Sequence, residues 1–148
     1  MSDFTIYHHV GIKADVKAVY QALTTDRGLA SWWTKETKGA GPVGAKITFT
    51  FNTVNMIFEV VELNENNLIK WQCVDGGGEE WPGTTISFAL KQDELQTHLS
   101  FKHAGWRNDE GMLSHCSTKW AVFLLSLKKY LESGKGNPFP DDVQINYS

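Results

Sequence analysis

Few side chains in this sequence can do chemistry, and their spacing removes most of the options. His8 and His9 are adjacent, so on a strand they point to opposite faces and cannot chelate one ion together. His103, His115 and Cys116 form the other candidate cluster, but on a helix His115 sits about 100° round from Cys116 and off its apolar stripe. A solvated His115 and a core Cys116 are therefore expected, with no metal and no other cofactor. Gly76-Gly77-Gly78 has the freedom of a phosphate loop, yet Glu79-Glu80 follow it, and neither a Lys-Ser/Thr ending nor a helix does. A flexible loop is the expectation. No Gly-x-Ser-x-Gly elbow occurs, and no nucleophile is paired with a base in sequence. Glu59, between Phe58 and Val60, and the tail carboxylates Asp141-Asp142 are expected in solvent.

His103 stands apart from these. It shares a strand face with Thr97, Leu99 and Phe101, while Gln96, His98, Ser100 and Lys102 face the other way. At the edge of a greasy space it would donate to a ligand carbonyl or act as an acid/base near neutral pH. The alternative is a hydrogen-bonded histidine at a strand end. The other conspicuous feature is six Trp, eight Phe and four Tyr in 148 residues. Rings at that density fill a core, line a pocket, or do both. On strands the candidates for ligand contact are Phe49, Phe58, Trp71, Phe88 and Phe101, with His103. On helices and loops they are Trp32, Trp33, Trp106, Trp120 and Phe123, with Trp81 adding aromatic surface. Of the adjacent Trp32 and Trp33, one is expected in the core and the other at a gate or partner surface.

The elements that must position these residues are legible from periodicity. Phe4 to Lys13 alternates as a first strand, and Asp15 then caps a helix carrying Val16, Val19, Tyr20 and Leu23. A second helical turn covers Arg27 to Ser31 and runs into Trp32-Trp33. Lys38 to Gly44, with three Gly and a Pro, is loop. From Ala45 the period becomes two, and five strands joined by turns reach His103, an antiparallel meander. A long helix follows from about Gly111 to Ser133, capped by Asn108 or Asp109 and closed by Gly134. Leu113, Cys116, Trp120, Phe123 or Leu124, Leu127 and Leu131 make one apolar stripe on it. About 23 residues at 1.5 Å each span ~35 Å, enough to cross a sheet. Such a sheet and helix make a two-layer α+β domain; a sheet curved round the helix is the helix-grip architecture, with the rings along the space between.

Composition bounds the rest. A hydrophobic share of 41%, a charged share of 21% and a net charge of -3 suit one globular domain over residues 1–148, with a core at about 4–134 and a tail at 135–148. No basic run supplies a nucleic-acid footprint, and the longest apolar stretch, Ala121 to Leu125, is far too short to span a membrane. Met1 to Phe4 shows no secretory signal, and two cysteines make no disulfide scaffold, so a cytoplasmic protein is expected.

Val10-Gly11-Ile12-Lys13-Ala14, Val19 to Thr24 and Leu29-Ala30-Ser31-Trp32-Trp33-Thr34 together resemble the START-like (SRPBCC) superfamily. Leu68-Ile69-Lys70-Trp71, Thr97 to Trp106, and the ending from Trp120 through Pro138-Phe139-Pro140-Asp141-Asp142 narrow the resemblance. They are similar to the family named after the activator of the ninety-kilodalton heat-shock-protein ATPase, over about residues 4–142. Two departures are the missing Pro at Asp15-Val16 and Gly44-Ala45 in place of Gly-Gly. The resemblance implies a helix-grip fold, often with a cavity, but no single reaction. Three functions follow from it: binding of a small hydrophobic or aromatic molecule between sheet and long helix, regulation of a chaperone partner, or polyketide-cyclase-type catalysis. The first is preferred. A start at the first strand implies that the additional N-terminal domain of the eukaryotic co-chaperones is lacking, and only the fold supports an enzyme. Ligand identity and oligomeric state are left open.

Overall fold

The computed structural model describes residues 3–146. The leaderless start read at Met1-Ser2 and the last two tail residues lie outside them. Strand β1 (Phe4–Ile12) is followed by helices α1 (Val16–Thr24) and α2 (Asp26–Trp32). Asp15 caps α1 as its spacing predicts, its Oδ1 accepting from the Ala18 amide at 2.8 Å. Next come β2 (Glu36–Lys38), β3 (Lys46–Phe51), β4 (Val54–Asn64), β5 (Leu68–Asp75), β6 (Thr85–Gln92) and β7 (Thr97–Trp106). The long helix α3 (Leu113–Ser133) completes the element order.

The seven strands form one curved antiparallel sheet in the order β1-β7-β6-β5-β4-β3-β2. The five-strand meander is present, and a short edge strand, β2, extends it by pairing Thr37 with Phe49. Three residues of alternating exposure carry too little pattern to announce a strand; β2 forms because β3 offers it an unpaired edge. Along β3 to β7 the inward positions (Ile47, Phe49, Phe58, Trp71, Phe88 and Phe101 among them) are all but fully buried. Two-residue periodicity thus becomes one apolar face, which α3 crosses over a length of ~31 Å.

Helix α3 ends where expected. Gly134 adopts φ 89°, and its amide donates to the Tyr130 carbonyl. Its start differs. Neither Asn108 nor Asp109 caps it: Asn108 Oδ1 accepts from the amides of Glu110 and Gly111 at 3.0 Å, closing the turn before the helix. The carboxylate of Glu80, from the β5–β6 loop, instead accepts from the Met112 amide at 3.1 Å. A negative group at the positive end of the helix ties that loop to α3. No described helix is long and apolar enough to cross a membrane.

Candidate functional site

The space between sheet and α3 is filled by rings over most of its length. Trp33 lies at the centre, 4.2 Å from Phe49, 4.9 Å from Trp120 and 6.2 Å from a parallel Trp71. Phe88 and Phe101 extend the cluster, Phe101 lying 4.5 Å from Trp120. Trp32 is fully buried beside it, its indole N–H donating to the Ala22 carbonyl at 2.9 Å. Both adjacent tryptophans are therefore interior, and neither is a gate on the surface.

At one end the packing opens into a pocket of about 530 Å³, within the range of small-molecule sites. Trp33, Trp120 and Phe123 form its inner wall. Phe51, Val54 and Met56 of the β3–β4 hairpin make a second side, and Gly77, Gly78 and Trp81 of the β5–β6 loop a third. The tail supplies the fourth through Phe139, Asp142 and Gln144. Of the residues marked in sequence, Trp33, Trp120 and Phe123 line this pocket. Trp32, Phe49, Phe58, Trp71, Phe88, Phe101, His103 and Trp106 lie in the core behind it.

Backbone conformation sets the third side. Gly77 holds φ 76°, and a Cβ there would fall 2.5 Å from Trp81 Cγ, so glycine lets the loop lie flat on the Trp81 ring. The triple glycine thus shapes an aromatic wall. The tail is held by buried polar contacts as well as by packing. Ser126 Oγ on α3 donates to the Trp32 carbonyl and accepts from the Asn137 amide, both at 2.8 Å. Phe139 N donates to the Trp33 carbonyl at 2.7 Å.

His103 is fully enclosed, and both ring nitrogens are occupied. Trp120 Nε1 can only donate, and it does so to Nδ1 at 3.0 Å. Nε2 therefore carries the proton and donates to Thr84 Oγ1 at 2.8 Å, and Thr84 in turn donates to the Trp81 carbonyl at 2.6 Å. Burial holds its pKa down to about 3. A neutral, saturated imidazole is neither an acid/base near pH 7 nor a free donor; it fixes Trp120 and the Trp81 turn, two walls of the pocket. This is the strand-end alternative of the sequence reading.

The polar part of the pocket lies along α3 and the tail, where sequence reasoning placed nothing. Asp142, expected in solvent, is 5% exposed and pairs with Lys119. Lys119 Nζ also donates to the Val143 carbonyl at 3.2 Å and rides 5.2 Å from the Phe123 ring centre. Asp141, its neighbour, does stay exposed, in a surface pair with Lys35. His115 is half-buried rather than free in solvent, its Nδ1 3.2 Å from Asn146 Nδ2, and both residues line the pocket. Cys116 is a core residue as expected but also reaches the pocket, and burial pushes its thiol up to about 11. No spacing rule could pair Lys119 with Asp142, because only the return of the tail brings them together. Trp81, named in sequence as added aromatic surface, does line the pocket, while Phe51 and Met56 carried the same inward signals as the residues marked. Those signals do not say which end of the grip stays open.

Compared with known proteins, the chain matches the sequence model described as Activator of Hsp90 ATPase homolog 1-like protein over residues 13–132. No curated protein matches it in sequence. The solution structure of the Aha1 dimer from Colwellia psychrerythraea is 49% identical, with a TM-score of 0.84 over 90% of this chain and 99% of that one. The crystal structure of DynU16, from the dynemicin biosynthetic locus, is 20% identical, with a TM-score of 0.78 over 91% of this chain and 49% of that one. Protein MLL2253 from Mesorhizobium loti is 17% identical, with a TM-score of 0.78 over 86% of this chain and 96% of that one. The last two likenesses concern the fold alone.

Proposed function

This chain belongs to the Activator of Hsp90 ATPase homolog 1-like protein family, and on that premise we propose that it binds a small hydrophobic or aromatic molecule at the open end of its grip. The observation that carries this reading is an opening of about 530 Å³ in an otherwise densely packed aromatic core, walled by Trp33, Trp81, Trp120, Phe123 and Phe139. Rings fixed from behind, as Trp120 is by His103, offer flat surface at little entropic cost. A two-ring aromatic of indole size buries ~150–250 Å². That contributes ~4–6 kcal/mol at ~25 cal/mol/Å² before the cost of association. In this reading Trp33, Trp120 and Phe123 touch the ligand, and the other marked aromatics and His103 support them. Two buried free thiols, Cys73 and Cys116, suit a reducing compartment, and a cytoplasmic site of action is part of the proposal.

Native mass spectrometry of the protein purified without added ligand tests the reading, together with displacement of a hydrophobic fluorophore by a panel of lipids and aromatics. A retained adduct or saturable displacement is expected. An empty mass and no displacement would remove the proposal.

A second reading, a regulator acting on a chaperone partner, is favoured by the family description and by the 49% identical Aha1 protein, which is a dimer. Stimulation of a purified heat-shock ATPase by this protein would support it. A pull-down and ATPase assay with no effect would retire it.

A further inference from the structure

The pocket is apolar on three sides, yet its fourth carries a charge pair with unused hydrogen-bonding capacity. Asp142 lines the pocket and is 5% exposed, and its Oδ2 accepts from Lys119 Nζ. Its second oxygen, Oδ1, is sealed from solvent and has no hydrogen-bond partner among the described residues. Buried carboxylate oxygens are almost always satisfied, because leaving one without a partner forfeits its hydration with nothing in return. Lys119 lines the same wall. Its ammonium has three hydrogens, of which Asp142 and the Val143 carbonyl take two. The wall therefore holds one unpaired acceptor, closed over by packing, and a Lys119 ammonium with one hydrogen to spare, and the charges of the pair cancel.

We infer that the pocket takes a neutral hydroxylated aromatic of the phenol or naphthol class, its hydroxyl bound between Asp142 and Lys119. This rests on the pocket reading above and specifies its ligand. A hydroxyl is the smallest group that meets both needs at once: its O–H donates to Asp142 Oδ1, and its oxygen accepts from Lys119 Nζ. The rings then lie among Trp33, Phe123 and Phe139. Because the pair is already neutral, a ligand carboxylate would meet Asp142 with no compensating cation, and an ammonium would meet Lys119 likewise. The Asp142 side chain is fully enclosed, so binding requires the ion pair to open toward the pocket; Lys119, the more exposed partner and carried on a flexible four-carbon stem, is the side chain able to move.

Three probes of like shape separate the possibilities by calorimetry on the full chain. 2-Naphthol carries both donor and acceptor, 2-methoxynaphthalene the acceptor alone, and 2-methylnaphthalene neither. 2-Naphthol is expected to bind roughly ten- to a hundredfold more tightly than 2-methylnaphthalene, the range for hydrogen bonds to charged groups. It is also expected to bind more tightly than 2-methoxynaphthalene. Asp142→Asn should shrink the naphthol preference, read as the ratio of 2-naphthol to 2-methylnaphthalene affinity within that variant. The preference among probes on the unaltered chain decides the matter even if a variant folds poorly. Equal affinity for 2-naphthol and 2-methylnaphthalene would overturn the inference while leaving the pocket reading standing. Equal affinity for 2-naphthol and 2-methoxynaphthalene would overturn the role of Asp142 as acceptor. Binding of none of the three would overturn the pocket reading and this inference with it.

Discussion

Trp120 donates its indole N–H to Nδ1 of His103 at 3.0 Å. Both residues are buried, and the ring so oriented is one wall of the pocket. A single polar contact between the last strand and the long helix thus sets both the tautomer of the histidine and the angle of the aromatic surface that a ligand would meet.

The burial of His103 makes stability depend on pH. The folded chain holds His103 neutral down to about pH 3, whereas the unfolded chain takes up a proton near the ordinary value of 6.5. Between those values the unfolded state binds the extra proton, so the contribution of His103 is fully present above about pH 6.5 and is lost as pH falls toward 3. The slope is at most about 1.4 kcal/mol per pH unit. The lowered carboxyls of Asp93 and Glu132 act mainly below their unfolded values of 3.8 and 4.5, so the loss between pH 6.5 and about 5 belongs to the histidine. Denaturant melts from pH 7 to about 5 should show this loss in the natural chain. A shallower dependence is expected in His103→Gln, whatever its absolute stability.

Gly77→Ala should cost about 1–3 kcal/mol and disturb the pocket. The new Cβ would collide with the Trp81 ring, and φ 76° is unfavourable for alanine. Gly78→Ala, at φ 75° but with open space around it, should cost only ~1 kcal/mol. Urea titration of the two variants measures the difference, and Trp fluorescence should change in Gly77→Ala alone.

Ser126→Ala should loosen the tail. It removes the acceptor of Asn137 N and the donor to the Trp32 carbonyl in a buried setting, a loss of about 1–3 kcal/mol. Hydrogen exchange should rise over residues 135–146 and little elsewhere.

Both thiols should be inert in the folded protein. Burial pushes Cys73 and Cys116 to about 11, so at pH 8 only about one in 10³ is thiolate. Reaction with a chromogenic disulfide should be slow until the chain unfolds. Cys116, at the pocket, should be slowed further by 2-naphthol, and Cys73, which does not line it, should not.

The fold was legible because its signals are local and repeated. Phe49, Trp71 and Phe88 alternate with polar residues, Asp15 and Gly134 punctuate helices, and the apolar stripe from Cys116 to Leu127 steps by threes and fours. What escaped depends on contacts far apart in sequence. Glu80 caps α3 from another loop, β2 exists only beside β3, and Asp142 is buried only because the tail folds back onto Lys119. The candidate site was half legible for the same reason. Alternation shows that Phe49, Phe88 and Phe101 all face inward, but side-chain volumes summed in three dimensions decide that rings fill one end and leave the other open. His103 was singled out correctly as an inward polar group. Its partners, Trp120 and Thr84, lie on other elements, and they make it a support.

Titration of the isotope-labelled protein with 2-naphthol, followed through the indole N–H signals of the six tryptophans, tests the central claim most directly. Saturable shifts should concentrate at Trp33, Trp81 and Trp120, which line the pocket, and leave Trp32 and Trp106 nearly unmoved. No shifts at all would contradict the account. So would shifts confined to Trp32, whose indole N–H donates to Ala22 at the smaller hollow of about 300 Å³.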